Sequence, residues 1–291
     1  MFLERTTHAY GIHLSSAPAR HCVALGGRVY GRVVRAGPVM TTRERTRRST
    51  VYDIRHFTLT DMAECSGALR RLGADATSME EVSDKIVHYF YDHLVDTETG
   101  ERALALVRLF KTHPYGELDE ELRAFARGML ETPVESPAMK CLTLLGSAGA
   151  QPEWHSRKGS TGHKAIPLPS ERFIEKFPMV RQLVQQLGLT VNTLLEPDPA
   201  VLVDLVQTTY NVFFVPEAVG SQYVPAQQKF VIPFGVQSVL GFGGILPSGN
   251  LFAVIMFVRA SLSPETAELF RTLALSAKIA LLPFDGRAIF S

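Results

Sequence analysis

His155 and His163 flank the run RKGSTG, Arg157 to Gly162, with Glu153, Trp154 and Lys164 beside them. Imidazoles ligate metals or haem iron, and imidazole with lysine grips an anionic effector, so this stretch is a candidate for binding chemistry. Metal signatures place more ligands at fixed offsets, and two loop histidines are more often simply solvated, so no metal site is expected. GSTGHK, Gly159 to Lys164, superficially suggests a phosphate loop. It lacks the GK[ST] ending, and Pro167 and Pro169 stand where the helix of such a loop would run. His113-Pro114-Tyr115 closes an apolar run at a place where polar groups can line a pocket, or simply make a turn. His88 and His93 are five apart on one helical stretch and therefore do not share a face.

Nucleophiles and acid–base pairs are not arranged for catalysis. No Ser-His-Asp order, GxSxG elbow or stereotyped carboxylate pair stands in the chain, so no catalytic activity is expected. Cys22, Cys65 and Cys141 are widely spaced and odd in number, which fits neither a disulfide framework nor a cysteine-rich zinc site. Cys65 and Cys141 sit in apolar stretches and read as core residues; their alternative is a redox enzyme or thiol switch. Gly241-Phe242-Gly243-Gly244 precede an apolar run and not a helix, so they predict a bulge or a close backbone approach inside a strand rather than a phosphate loop.

The elements that must position these groups follow from periodicity and punctuation. Met62, Cys65, Leu69 and Leu72 predict a helix over 61–74 with Gly73 as its stop. Thr77 or Ser78 caps a second helix, whose stripe is Met79, Val82, Ile86, Phe90 and Leu94. ALALVRLF, 103–110, is a mostly buried strand; 119–130 is a short helix; 137–149 is a helix or a strand. The stretch from Gln151 to Ser170 is a long loop, 171–189 is a helix interrupted at Pro178, and 196–205 is a short helix. YNVFFV, QKFVIPFG, VQSVLGFGGIL and LFAVIMFVR read as strands, the last two joined by the turn Pro247-Ser248-Gly249-Asn250. Ser263, Pro264 and Glu265 open a closing helix whose buried side carries Leu269 or Phe270, Leu273, Ala277 and Ala280.

With 46% hydrophobic and 20% charged residues, 291 residues form a real core. No apolar run approaches the roughly 20 residues that cross a bilayer, so a cytoplasmic protein with no membrane partner is expected. Residues 1–57 form a basic leader: up to Arg55 there are ten Arg and only Glu4, Glu44 and Asp53 as acids, about +7. A disordered extension or an upstream start, with Met40 or Met62 nearer the true one, accounts for it better than nucleic-acid binding.

The order of elements resembles the GAF domain. AVIMFVRASLSPETAELFRTLALSAKIAL is similar to its last strand and helix, and SMEEVSDKIVHYFYDHLVDTETGERALALVRLF to its first helix and strand. FVPEAVGSQYVPAQQKFVIPFGVQSVLGFGGILPSGNLFAVIMF resembles the GAF-type sensory segment that precedes bacterial sensor histidine kinases. The resemblance implies an α+β fold over 58–286: an antiparallel sheet with helices packed on one face, a sensing pocket on the other, a large insertion after the first strand (112–190), and a 287–291 tail. It also implies a sensory module that binds a small ligand or partner protein, pairs as a homodimer through the terminal helix, and relays to a histidine kinase or similar output. The candidate ligand residues are His113, Tyr115, Trp154, His155, His163, Lys164, Tyr223, Phe242 and Gly243. The signalling helix carries Ser263, Phe270, Leu273 and Ala277. Kinase-core motifs, a bilin-type DIP triplet and an NKFDE-like set have no match, and the cofactor stays unknown. A purely protein-interaction module is the remaining alternative.

Overall fold

The computed structural model describes residues 51–131, 136–196, 204, 206, 207, 210–287 and 289–290. The basic block 41–50, Cys22 and most of the helix expected over 196–205 lie outside the described residues. After a two-residue strand β1 (Tyr52–Asp53), helix α1 (Leu59–Arg71) starts in a capping box: Thr58 accepts from the Asp61 amide, and the Asp61 carboxylate accepts from the Thr58 amide. Helix α2 (Met79–His93) is capped by Ser78, while the Thr77 amide and hydroxyl donate to Glu81. Its expected stripe, Met79 to Leu94, is buried throughout. Strands β2 (Leu94–Asp96) and β3 (Glu101–Arg102) complete a small sheet in the order β1-β2-β3.

The larger sheet has six strands. They are β4 (Leu104–Pro114), β5 (Lys140–Gly149), β6 (Ala165–Leu168), β7 (Tyr210–Val215), β8 (Ser238–Ile245) and β9 (Leu251–Val258), in the order β6-β5-β4-β9-β8-β7. Every neighbouring pair is antiparallel. Between them lie α3 (Glu120–Gly128), α4 (Glu171–Ile174), α5 (Pro178–Gln186) and α6 (Val191–Leu195); α7 (Pro264–Leu269) and α8 (Arg271–Leu281) follow the sheet. This is an α+β fold. The stretch 112–190, set apart by length in the sequence, supplies β5 and β6 and is built into one side of the sheet.

Two apolar layers sandwich the sheet. On the inner face α1, α2 and α8 bury Leu69, Ile86, Phe90, Leu273 and Ala277 against Val107, Leu109, Phe242 and Val254. On the outer face α5 and α6 bury Leu183, Val184 and Leu194, together with Phe110, Leu144, Phe213 and Ile255. Helices therefore cover both faces, not one, because α5 and α6 each present an apolar stripe that must be removed from water.

Four local expectations change. QKFVIPFG is not a strand: Gln227–Val231 forms a π-helical turn entered by Ala226 at φ 58. Its cause is Gln227, whose side-chain amide donates to the carbonyls of Ala218 (2.9 Å) and Val224 (2.8 Å) and accepts from the Gly220 amide (2.9 Å), tying the segment into a knot. Within the expected loop 151–170, Ala165–Leu168 adds an edge strand to β5, a position that tolerates Pro167. Gly73 has no left-handed cap role; a Cβ there would stand 2.5 Å from the Ala280 carbonyl oxygen, so it admits α8 against the end of α1. Gly241 and Gly243 lie in a continuous register with β7 and β9, without a bulge. The close-approach reading holds, since a Cβ on Gly241 would come within 2.8 Å of the Val254 carbonyl oxygen and one on Gly243 closer still to that of Phe252. The Pro247–Asn250 turn is present, with Gly249 at φ 75.

Candidate functional site

Strand β4 sends alternate side chains to the two faces, so Leu106 and Phe110 enter the outer layer while Val107 and Leu109 enter the inner one. Arg108 therefore falls on the outer face, between Ser147 of β5 and Ile255 of β9 in register. It is only 8% exposed. Its Nη2 donates to Ser160 Oγ at 2.8 Å and its Nη1 reaches the Gly162 carbonyl at 3.5 Å. Among the described residues Arg108 Nε and the neighbouring Ser147 Oγ have no hydrogen-bond partner, although both are buried. Burial holds the guanidinium down to about 10, still charged at neutral pH, and no carboxylate opposes that effect.

The segment 150–164 wraps the free edge of β5. At its start Trp154 turns onto the outer face, its ring 4.7 Å from that of Phe234 and 5.5 Å from that of Phe230. His155 instead meets α2, stacked on His88 at 6.3 Å and edge-on to Tyr91 at 6.0 Å. Arg157 crosses to the inner side, where its Nε and Nη2 each donate to a Glu80 carboxylate oxygen at 3.0 Å. Ser160 and Gly162 then return to cover Arg108. His163, at φ 59, has an exposed edge, yet desolvation and the nearby Arg108 charge lower its pKa, and Lys164 Nζ donates to Glu121 on α3 at 2.5 Å. The four candidates Trp154, His155, His163 and Lys164 thus point to different surroundings. Among the described residues no three His, Cys, Asp or Glu side chains come together as a metal site.

The remaining candidates also separate. His113 lies at the inner end of β4, 1% exposed, with its ring 5.4 Å from that of Phe290. Neither of its ring nitrogens makes a well-formed hydrogen bond among the described residues, and the Lys111 backbone offers only a weak one. Burial, reinforced by the Lys111 charge, lowers it to about 3, so it is neutral. Lys111 is buried alongside and lowered to about 8 by desolvation. Tyr115 Oη accepts from Arg127 Nη1 at 3.0 Å. Tyr223 lines an open surface cleft of about 690 Å³ with Gln182, Gln186 and Phe214, to which Arg108 does not contribute. Phe242 faces the helices, edge-on to Phe90 at 5.7 Å, and Gly243 is buried in the sheet, so neither offers open surface to a ligand.

Ser263 caps α7 by accepting from the Thr266 amide at 3.1 Å. Phe270 sits at the break between α7 and α8, stacked on Phe57 at 4.7 Å, and Leu273 and Ala277 are buried. On the opposite side of α8, Leu275 and Ile279, with Leu282 beyond, are 38–40% exposed, an apolar line at i, i+4 and i+7. Cys65 and Cys141 are both buried and desolvation pushes both thiols up to about 12.

Neither Ser147 nor Ser160 stands in a motif, and the one local signal for Arg108 is its place inside the apolar run ALALVRLF, since an arginine at the centre of a buried strand needs a partner. No helix of the described residues is long and apolar enough to cross a membrane. No known protein-family model matches the chain, and no curated protein matches it as a relative.

Proposed function

We propose that this chain is a sensory or regulatory module of GAF-like build, without catalysis of its own, that holds a small ligand on the outer face of its sheet. One observation carries the reading: among the described residues, Arg108 Nε and Ser147 Oγ stand unpartnered in the centre of the outer layer. Leaving a buried donor unsatisfied costs about 1–3 kcal/mol, more for a charged group, and an apolar pair in the same register would avoid that cost. A bound ligand that accepts from both groups would offset that cost.

The inner face suits output. α8 packs on the sheet through Leu273 and Ala277 and leaves Leu275, Ile279 and Leu282 uncovered, a stripe on which a second copy pairs to form a homodimer. Ligand binding shifts the population of two arrangements of the covering loop, and the difference reaches α8 and the chain end. The output partner is a histidine kinase or similar element of bacterial signal transduction, in the cytoplasm. The thiol-switch alternative is disfavoured by the burial and high pKa of Cys65 and Cys141.

The test is mass spectrometry of the purified chain for a retained small molecule, followed by a thermal-shift screen of metabolites and hydrogen exchange over 271–281. The expected result is a compound that raises Tm in proportion to its concentration and alters exchange in α8. A chain that retains nothing, and that no metabolite stabilises, is an interaction module instead.

A further inference from the structure

The ligand's chemistry can be read from the side of the guanidinium that it would meet. Arg157 supplies an internal standard: its Nε and Nη2, which form one edge of the planar fork, hold the two oxygens of the Glu80 carboxylate. On Arg108 the same edge is half used. Nη2 donates to the Ser160 hydroxyl, and Nε donates to nothing among the described residues. Across the strand pair, Ser147 adds an unpartnered hydroxyl on the same face. Ser160 spends its own proton on the Gly162 carbonyl at 3.3 Å.

This set has donors in excess and lacks an acceptor of matching charge. A guanidinium cannot accept a hydrogen bond or shed its proton at neutral pH, so a cationic ligand is repelled and a neutral one leaves the charge unbalanced. The missing partner is an acceptor-only group with two oxygens in one plane, or more.

We infer that the outer-face site binds a small molecule through an oxyanion, a carboxylate or a phosphate, seated on the Nε/Nη2 edge of Arg108 and held by the hydroxyls of Ser147 and Ser160. The inference rests on the sensory reading above and specifies its ligand. In the structure Ser160 Oγ and the Gly162 carbonyl hold the positions nearest the guanidinium, so the segment 158–163 is the cover that shifts when the oxyanion enters. Ser160 then turns from acceptor to donor, its proton moving from Gly162 to the ligand. No covalent bond changes.

The experiment is differential scanning fluorimetry and calorimetric titration of the full chain. The probes are inorganic phosphate, succinate, and the neutral compounds glycerol and succinamide, with sodium chloride matching ionic strength. A fitting oxyanion raises Tm by about 5–10 °C at a concentration about a hundred times its Kd. Phosphate and succinate are scored separately, so the arm that responds identifies the class of oxyanion. Arg108→Met removes the response while its unliganded Tm stays at or above that of the parent, because a desolvated charge has gone. Arg108→Lys, which keeps the charge but loses the fork, weakens binding about tenfold to a hundredfold. It also serves if the methionine variant fails to fold. Ser147→Ala weakens binding to a lesser degree.

The inference is overturned if oxyanions stabilise Arg108→Met and Arg108→Lys as much as the parent, or if chloride at equal ionic strength has the same effect. If neutral metabolites stabilise the parent and neither oxyanion does, the oxyanion inference fails and the sensory reading stands. If neither oxyanion stabilises it, no metabolite of the wider screen does, and the purified chain retains nothing, both fail.

Discussion

Arg157 and Arg108 are both almost completely buried, the first belongs to the loop that covers the second, and they lie on opposite faces of one sheet. On the inner side the guanidinium is neutralised by Glu80 through two bonds of 3.0 Å, with Asp119 3.9 Å away. On the outer side, among the described residues, no carboxylate approaches and one nitrogen is left over. Identical chemistry in two equally dry places has been treated in two ways. A buried charge with its partner built in is architecture; a buried charge without one is a stability cost that only an external partner offsets. His113, at the inner end of β4, shows the third solution: a buried base that can lose its proton does so and stays neutral. Arginine has no such recourse.

The contrast can be broken most forcefully at Glu80. Glu80→Gln leaves Arg157 with one neutral acceptor and only the more distant Asp119 as counter-charge, which brings it nearer to the state of Arg108, and urea denaturation should show a loss of about 3–5 kcal/mol. A loss under about 1 kcal/mol would mean that the paired and unpaired arginines are equivalent, and the comparison would collapse.

Next comes His113. Its pKa is about 3 in the native state against an ordinary 6.5, so only the unfolded chain takes up a proton between these values. Its contribution is complete above pH 6.5 and is lost on acidification at about 1.4 kcal/mol per pH unit, down to about pH 3. His113→Phe should flatten that part of the stability profile; parallel profiles for the two proteins would show that the histidine is not held neutral.

The smallest effect is an absence of reaction. In a Cys22→Ser background, Cys65 and Cys141 should resist iodoacetamide at pH 8 until the chain is unfolded, because thiols pushed to about 12 supply almost no thiolate. Rapid native alkylation of either would return the thiol switch to consideration.

What could be read in the letters follows from how local each cause is. α1 and α2 announce themselves through Thr58, Ser78 and an uninterrupted stripe, and the β8–β9 hairpin through two apolar runs around Pro247 to Asn250. β6 is four residues long with Pro167 inside it, too short to outweigh its polar surroundings. The π-helical turn depends on one glutamine reaching three carbonyls, which no periodicity records. The site is least local of all. Arg108 and Ser160 stand 52 residues apart in sequence, and the face on which Arg108 emerges depends on strand parity near a register shift at Leu109/Phe110. The loop histidines drew attention because histidine is chemically conspicuous, whereas the serines that matter beside Arg108 look like any loop serine.

Ser160 and Arg157 are three residues apart, a span of no more than about 10 Å of extended chain. One contacts the outer-face cation; the other grips α2 through Glu80, and its guanidinium lies 5.3 Å above the Phe290 ring, near the chain end. Since the Glu80 amide also donates to the Ile289 carbonyl at 2.8 Å, α2, the tail and the loop meet at one knot. The loop is thus a short tether around the sheet edge. A displacement at Ser160 larger than its slack must be taken up by either the Arg157–Glu80 clasp or the tail, which gives the two faces a mechanical connection that does not pass through the sheet.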